Sequence, residues 1–224
     1  MREMFTRIAR RYDVMNTVMT GGRHHAWRRL AAEAVVAAPP GPVLDLATGT
    51  GDLALAVRAM RSASTVVGAD FSEGMLRQAR AKLARRRETR VCLLAADALT
   101  LPFRDRTFAA VTSAFLVRNL TELARGLAEM RRVAMPGGLV VTLDITRPRV
   151  PGWDRVFGLY FHRIVPLMGA LVAGDRAAYT YLPESVERFA SPPGMAEAMR
   201  RAGLRGVRYR RFGFGTIALH VGVA

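Results

Sequence analysis

The 224-residue chain has one cysteine, Cys92, so no intrachain disulfide is available and a reducing compartment is expected. It also has one lysine, Lys82; every other positive side chain is arginine. Acidic residues are scarce, 18 against 34 basic ones, for a formal charge of +16. A GC-rich genome would favour arginine codons, but the net excess still points to an anionic surface, either nucleic acid or acidic lipid. His24, His25 and His220 have no recognisable zinc spacing, and no metal is expected. No G-x-S-x-G nucleophile elbow occurs, nor any internal repeat or low-complexity tract. The N-terminus lacks the long apolar core of a secretory signal. The apolar segment Ile164 to Gly174 has eleven uncharged residues, holds Pro166 and is bounded by Arg163 and Asp175, too short to span a bilayer. A soluble or peripheral protein is expected.

Half of the residues are apolar, enough for a full core in one large α/β domain. Residues 5 to 37 read as helical, broken at Gly21-Gly22, with Phe5, Ile8, Ala9 and Tyr12 at helix spacing. Pro39-Pro40-Gly41 ends this part. Strand and helix then alternate from 43 to 145: strands 43–47, 65–69, 90–95, 108–114 and 139–145, with Ser72 and Thr121 as helix caps and Pro136-Gly137-Gly138 as the turn into the last strand. Unbroken βα repetition predicts a parallel, doubly wound sheet. Residues 146 to 194 break the rhythm, and Trp153 to Val172 reads as one or two inserted helices. A helix at 195–202 and a hairpin, 206–212 and 216–223, close the chain. The expected divisions of a single domain are 1–40, 41–146, 147–194 and 195–224.

The chain is organised around Asp45-Leu-Ala-Thr-Gly-Thr-Gly-Asp-Leu53. Gly49-Thr50-Gly51-Asp52-Leu53-Ala54 satisfies G-x-G-x-x-G/A, and Asp70 follows at the end of the next strand, nineteen residues after Gly51. The glycines allow a ligand to approach the backbone, and the helix behind them offers free N–H groups. Both NAD and S-adenosylmethionine use this arrangement. Three features favour the second: Asp45 just before the turn, Asp97 ending the third strand, and a C-terminal hairpin in place of a separate substrate domain.

The sequence resembles the ubiquinone/menaquinone biosynthesis C-methyltransferases over almost its whole length. The likeness is carried by Tyr12-Asp13-Val14-Met15-Asn16 with His24 and Trp27, by Val43 to Asp52, by Asp70-Phe71-Ser72-Glu73-Gly74-Met75-Leu76, by Asp97 to Phe103 and by Phe115-Leu116-Val117-Arg118-Asn119. Phe161-His162, Leu171 to Asp175, Tyr179, Tyr181-Leu182 and Ala218 to Gly222 extend it beyond the motifs that general methyltransferases share. Leu116 departs from it, standing where the family usually has glycine.

The resemblance implies a class I, Rossmann-like fold: seven strands, mostly parallel with an antiparallel C-terminal strand, a helical N-terminal lid and a helical insert. It implies S-adenosylmethionine as cofactor, held by Asp45, Gly49, Thr50, Gly51, Asp70, Phe71, Asp97 and Ala98. The implied reaction is C-methylation of a polyprenyl quinol, with demethylmenaquinol favoured and a benzoquinol as the alternative. Tyr12, Asp13, Asn16, Leu116 and Arg118 are expected to line the substrate pocket. Arg118 is the candidate cation for an ionised quinol, Asn119 the orienting group and His162 the proton carrier. The N-terminal arginines with Arg155 and Arg163 are expected to dock the lid side on an anionic membrane, at its cytoplasmic face. A homodimer is left open, and no nucleic acid is expected. The competing readings are an RNA methyltransferase using Arg208, Arg210 and Arg211, an NAD-binding oxidoreductase and a non-catalytic quinone-binding relative.

Overall fold

Strand β1 (Val43–Leu46) is buried along its whole length, and the fold is built outward from it. In the computed structural model, which describes residues 1–148 and 150–224, β1 pairs in parallel with β2 (Val66–Asp70) on one side and β4 (Phe108–Ala114) on the other. β3 (Val91–Ala95) extends one edge, and β5 (Ala134–Ile145) the other. The strand β7 (Ile217–Val223) runs antiparallel to both β5 and β6 (Arg205–Phe212), which forms the far edge. The order β3-β2-β1-β4-β5-β7-β6 is the expected seven-stranded, mostly parallel sheet.

Side chains alternate across the sheet, so two cores form. Val43, Val66, Ala110 and Val141 face one, with α3 (Arg23–Ala34), α4 (Asp52–Met60) and α5 (Glu73–Arg85). Leu44, Leu46, Ala69, Val111 and Val140 face the other, with α6 (Leu123–Val133) and α10 (Pro192–Arg201). The strand order reverses between β1 and β4. Their carboxyl ends therefore part and leave a crevice, the usual ligand position in an open α/β sheet.

The lid comprises α1 (Arg2–Ile8) and α2 (Tyr12–Thr20), joined by a 3₁₀ turn at Ala9–Arg11. It lies close against the end of β2. A Cβ on Gly74 of α5 would come within 2.9 Å of the Thr6 backbone, which is why glycine stands there. The insert contains α7 (Trp153–Leu159), α8 (Val165–Met168) and α9 (Arg176–Arg188). Where one or two helices were expected, residues 153–173 form one continuous helix whose five-residue stretches at Tyr160–Ile164 and Gly169–Ala173 are π-helical. This 21-residue helix, mean hydropathy 1.6, is long and apolar enough to cross a membrane by length and composition. Reading only its uncharged half missed that. Phe161, Val165, Pro166 and Gly169 bury one side of it, and a Cβ on Gly169 would come within 2.5 Å of the Tyr179 ring on α9. The helix is thereby packed into the fold along one side.

Two local expectations differ from the structure. Thr121 does not cap α6, which starts after Glu122 without a side-chain cap. Pro136-Gly137-Gly138 lies within β5, at a register shift between the Phe108 and Ala110 pairings, instead of before it. Ser72 does cap α5, accepting from the Met75 N–H.

Candidate active site

The glycine turn after β1 bends through left-handed backbone at Ala47, Gly49 and Gly51, with φ of 54°, 58° and 86°. A Cβ on Gly49 would meet no protein atom within 4 Å, because the space above it is a cavity of about 220 Å³. Asp70 anchors the turn. Its carboxylate accepts the Gly49 N–H at 2.8 Å and the Ser72 N–H at 2.8 Å. Burial raises its pKa and these backbone bonds oppose the rise. Leu46, Phe71, Ala98 and Leu99 supply apolar wall, and Asp97 sits at the mouth. A buried carboxylate and a second at the mouth, an open glycine backbone and apolar faces suit a nucleoside with free ribose hydroxyls.

A second cavity of about 60 Å³ adjoins the first under the lid. Both are lined by Phe5, Tyr12, Phe115 and Asn119. Asn16, Thr20, His24, Arg118, Tyr179 and Tyr181 add polar groups to its lining, among Ile8, Met19, Trp27 and Leu182. Phe115 adopts φ of 64°, rare for a large side chain. Its carbonyl accepts Arg118 Nη1 at 2.8 Å and Asn119 Nδ2 at 3.0 Å, which fixes the loop after β4.

A model of the ubiE/COQ5 methyltransferase family matches residues 1–224. The chain belongs to the ubiE/COQ5 methyltransferase family. It is 45% identical over 219 residues to a demethylmenaquinone methyltransferase of Thermus thermophilus, covering 98% of this chain and 99% of that one. It is 41% identical over 223 residues to a ubiquinone/menaquinone biosynthesis C-methyltransferase of Methylobacterium nodulans, covering 98% and 88%. Among solved structures, a SAM-dependent methyltransferase from Aquifex aeolicus superposes with a TM-score of 0.67 at 18% identity, covering 95% of this chain and 98% of that one, a likeness of fold. The chain is thus a methyltransferase, and the resemblance read from its motifs is correct.

The geometry of this ubiE/COQ5 member redistributes several expected residues. Gly49, Asp70, Phe71, Asp97, Ala98 and Leu116 line the first cavity, and Tyr12 and Asn16 the second. Asp45 lines neither. It faces the α3–α4 side, as the alternation along β1 requires, and is 1% exposed. Thr48 and Thr112 hydroxyls donate to it at 2.6 and 3.1 Å. Burial pushes its pKa up to about 7, and the two hydroxyls tie it to the turn and to β4. Thr50, Gly51 and Asp13 also line neither cavity; Thr50 and Asp45 line a third, of about 20 Å³, which shares Tyr12, Ala47, Gly49 and Ala114 with the first. Thr50 Oγ1 donates to Asp13 at 2.6 Å, and Lys82 Nζ sits 2.6 Å from Asp13 and 2.5 Å from Asp52. Asp13 therefore latches the lid to the glycine turn.

Arg118 is in the second cavity, but its charge is already met. Nη1 lies 2.6 Å from Asp144 Oδ1, and the two side chains are 7% and 4% exposed. Asp144 was missed because it reads as one polar position near the end of an apolar strand. His162 lines neither cavity. It is exposed on the outer face of the insert, 2.8 Å from Glu187, which removes it from any proton transfer in these cavities. Among the described residues, His24, His25 and Asp52 could offer one ligand atom each within 4.8 Å. However, His24 Nε2 contacts Thr17, its Nδ1 contacts Arg28, and burial and Arg28 lower its pKa to about 4. Neither ring nitrogen is free for a cation, and a guanidinium stands beside the group.

Proposed function

We propose that the chain transfers a methyl group from S-adenosylmethionine to a ring carbon of a polyprenyl quinol, demethylmenaquinol being the preferred acceptor. The observation that carries this reading is the pair of adjoining cavities under one lid, one built like a nucleoside site and the other apolar with a few polar groups. Relatives named demethylmenaquinone methyltransferase support the choice of acceptor. Bound in the first cavity, S-adenosylmethionine supplies a methyl group activated by a sulfonium. Asp70 would take the ribose hydroxyls, Gly49 would leave room for the ligand, and Asp97, Phe71 and Ala98 would flank the base. Phe115 and Asn119 face both cavities and would set the acceptor ring against the donor, which is a positioning task. The lid excludes water: Arg7 pairs with Asp175, Arg11 donates to the Val172 carbonyl and Tyr160 to the Met19 carbonyl, tying lid to insert. The test is a labelled-methyl assay with demethylmenaquinol and a demethylated benzoquinol side by side. Label is expected in the naphthoquinol product at least tenfold faster; transfer to neither overturns the reading.

The same reading places the protein against a bilayer, at its cytoplasmic face, because the isoprenoid tail is there. Leu159, Leu167 and Leu171 of the insert are 64%, 58% and 75% exposed, beside Arg155 and Arg163, and Val14 and Val18 of the lid are exposed too. An apolar stripe flanked by guanidinium groups suits the headgroup region of anionic lipid. The protein is expected to co-sediment with phosphatidylglycerol-containing vesicles at low salt. Leu159→Ser, Leu167→Ser and Leu171→Ser together should weaken that binding by about tenfold or more. A variant that sediments as the parent does, or a solution dimer that buries this face, would defeat the membrane reading.

A further inference from the structure

Nearly every polar group around the second cavity already has a partner. Arg118 holds Asp144, Ser185 and the Phe115 carbonyl. His24 is engaged at both nitrogens. Asn119 donates to the Phe115 carbonyl and accepts from the Tyr181 hydroxyl at 3.2 Å. Two atoms stand out: Asn16 Nδ2 and Tyr179 Oη are buried and make no hydrogen bond, and both side chains line this cavity. A buried donor without an acceptor costs stability, so each such atom in a native fold calls for an explanation.

The two come from different elements, α2 of the lid and α9 of the insert. Tyr179 is 5% exposed and its ring is wedged against Gly169, which leaves it little freedom to swing to another partner. Burial raises its pKa, with Tyr12 and Asp175 adding to the effect, so the hydroxyl keeps its proton and can donate. Asn16 Nδ2 is likewise a donor. Two neutral groups that can donate, both unpartnered and both on the wall of one cavity, match an oxygen that carries or develops negative charge.

We propose that Asn16 and Tyr179 together hold one ring oxygen of the quinol and stabilise it in its ionised form. The inference rests on the quinol reading above and names the groups that recognise its head. It reassigns the task expected of Arg118, whose charge is committed to Asp144; Arg118 then positions the loop bearing Phe115 and Asn119. Pre-aimed donors at an oxyanion need no reorganisation when the ring carbon beside it attacks. The quinol hydroxyl gives its proton to solvent on ionising; the ring carbon beside the oxyanion then bonds the methyl as the sulfonium S–CH3 bond breaks, leaving the neutral thioether, and that carbon's own proton leaves to solvent to restore the aromatic quinol.

The experiment compares the parent protein with Tyr179→Phe and Asn16→Ala on a short-tailed naphthoquinol and on the two naphthols that each lack one of its oxygens. Tyr179→Phe is expected to lower kcat/KM on the quinol by about 10- to 100-fold. The acidic limb of its kcat–pH profile should move to higher pH, because the bound quinol ionises less readily. Affinity for S-adenosylhomocysteine should stay within about twofold, and the melting temperature should hold or rise, since an unmet buried hydroxyl has been removed. On the naphthol that lacks the held oxygen, parent and variant should react at equal rates. Asn16→Ala should repeat the pattern. Unchanged kcat/KM in both variants, or an equal loss on the quinol and on both naphthols, overturns the proposal. If the parent methylates none of these compounds, the quinol reading itself falls, an outcome seen without any variant.

Discussion

Asp144→Ala is expected to destabilise the protein by about 3–5 kcal/mol, because it leaves a guanidinium buried without its counter-ion. Asp144 Oδ1 lies 2.6 Å from Arg118 Nη1, and the same carboxylate accepts the Arg118 N–H at 3.3 Å and the Ile145 N–H at 2.8 Å. All three contacts end together. What remains to Arg118 is the Ser185 hydroxyl at 3.3 Å and the Phe115 carbonyl, neither of which is charged. For a chain of this size the loss corresponds to a fall in Tm of roughly 6–20 °C. Asp144→Asn keeps the shape and one acceptor and should fall between. The double variant Arg118→Met with Asp144→Leu should recover most of the stability, since a buried pair replaced by apolar groups is often neutral. Its activity should stay low, because the Phe115 carbonyl has lost one of its two donors. Thermal unfolding of the four proteins decides the matter. A single variant as stable as the parent would mean that the pair is solvated and plays no structural part.

Asp70→Ala should abolish detectable cofactor binding, a loss of at least about 100-fold, from two removed functions. The carboxylate now fixes the Gly49 and Ser72 N–H groups, so its loss loosens the turn. It is also the one carboxylate buried in the wall of the first cavity and thus the acceptor for ribose hydroxyls. Titration calorimetry with S-adenosylmethionine measures both effects together, and Asp70→Asn separates them, since it retains one acceptor. The pH dependence has a definite sign. Burial raises the pKa of Asp70, so its protonated, poorly accepting form is reached at a higher pH than for an exposed carboxyl. Affinity should therefore weaken as the solution is acidified through that raised pKa. Binding by Asp70→Ala within twofold of the parent would overturn the assignment of the first cavity.

The strands and their order were legible because apolar runs and glycine turns alternate without interruption from Val43 to Ile145. Local chemistry wrote that pattern, and it survives folding. The glycine turn and Asp70 were legible for the same reason: both belong to one βαβ unit. What could not be read were pairings made at long range. Asp144 meets Arg118 across 26 residues, and Lys82 meets Asp13 across 69. Nothing near Asp13 in sequence distinguishes a latch from a substrate contact. His162 illustrates the reverse error: its position is helical, but the π-helical stretch containing it sets the angle at which it leaves the axis, toward Glu187 and solvent. Asp45 was legible as the last acid before the turn, but its bonds to the Thr48 and Thr112 hydroxyls were not, since Thr112 lies 67 residues away on β4.

The latch at Lys82 gives the molecule a chemical handle. Surface arginines do not react with ordinary amine-directed reagents, and Lys82 is the only lysine in the chain. Its side chain is 12% exposed, and its ammonium lies between Asp13 and Asp52, held by the lid. An acylating reagent will therefore find the N-terminal amine at any time and Lys82 only when α2 lifts. The ratio of the two products is a clock for lid opening, available without adding a label or changing a residue.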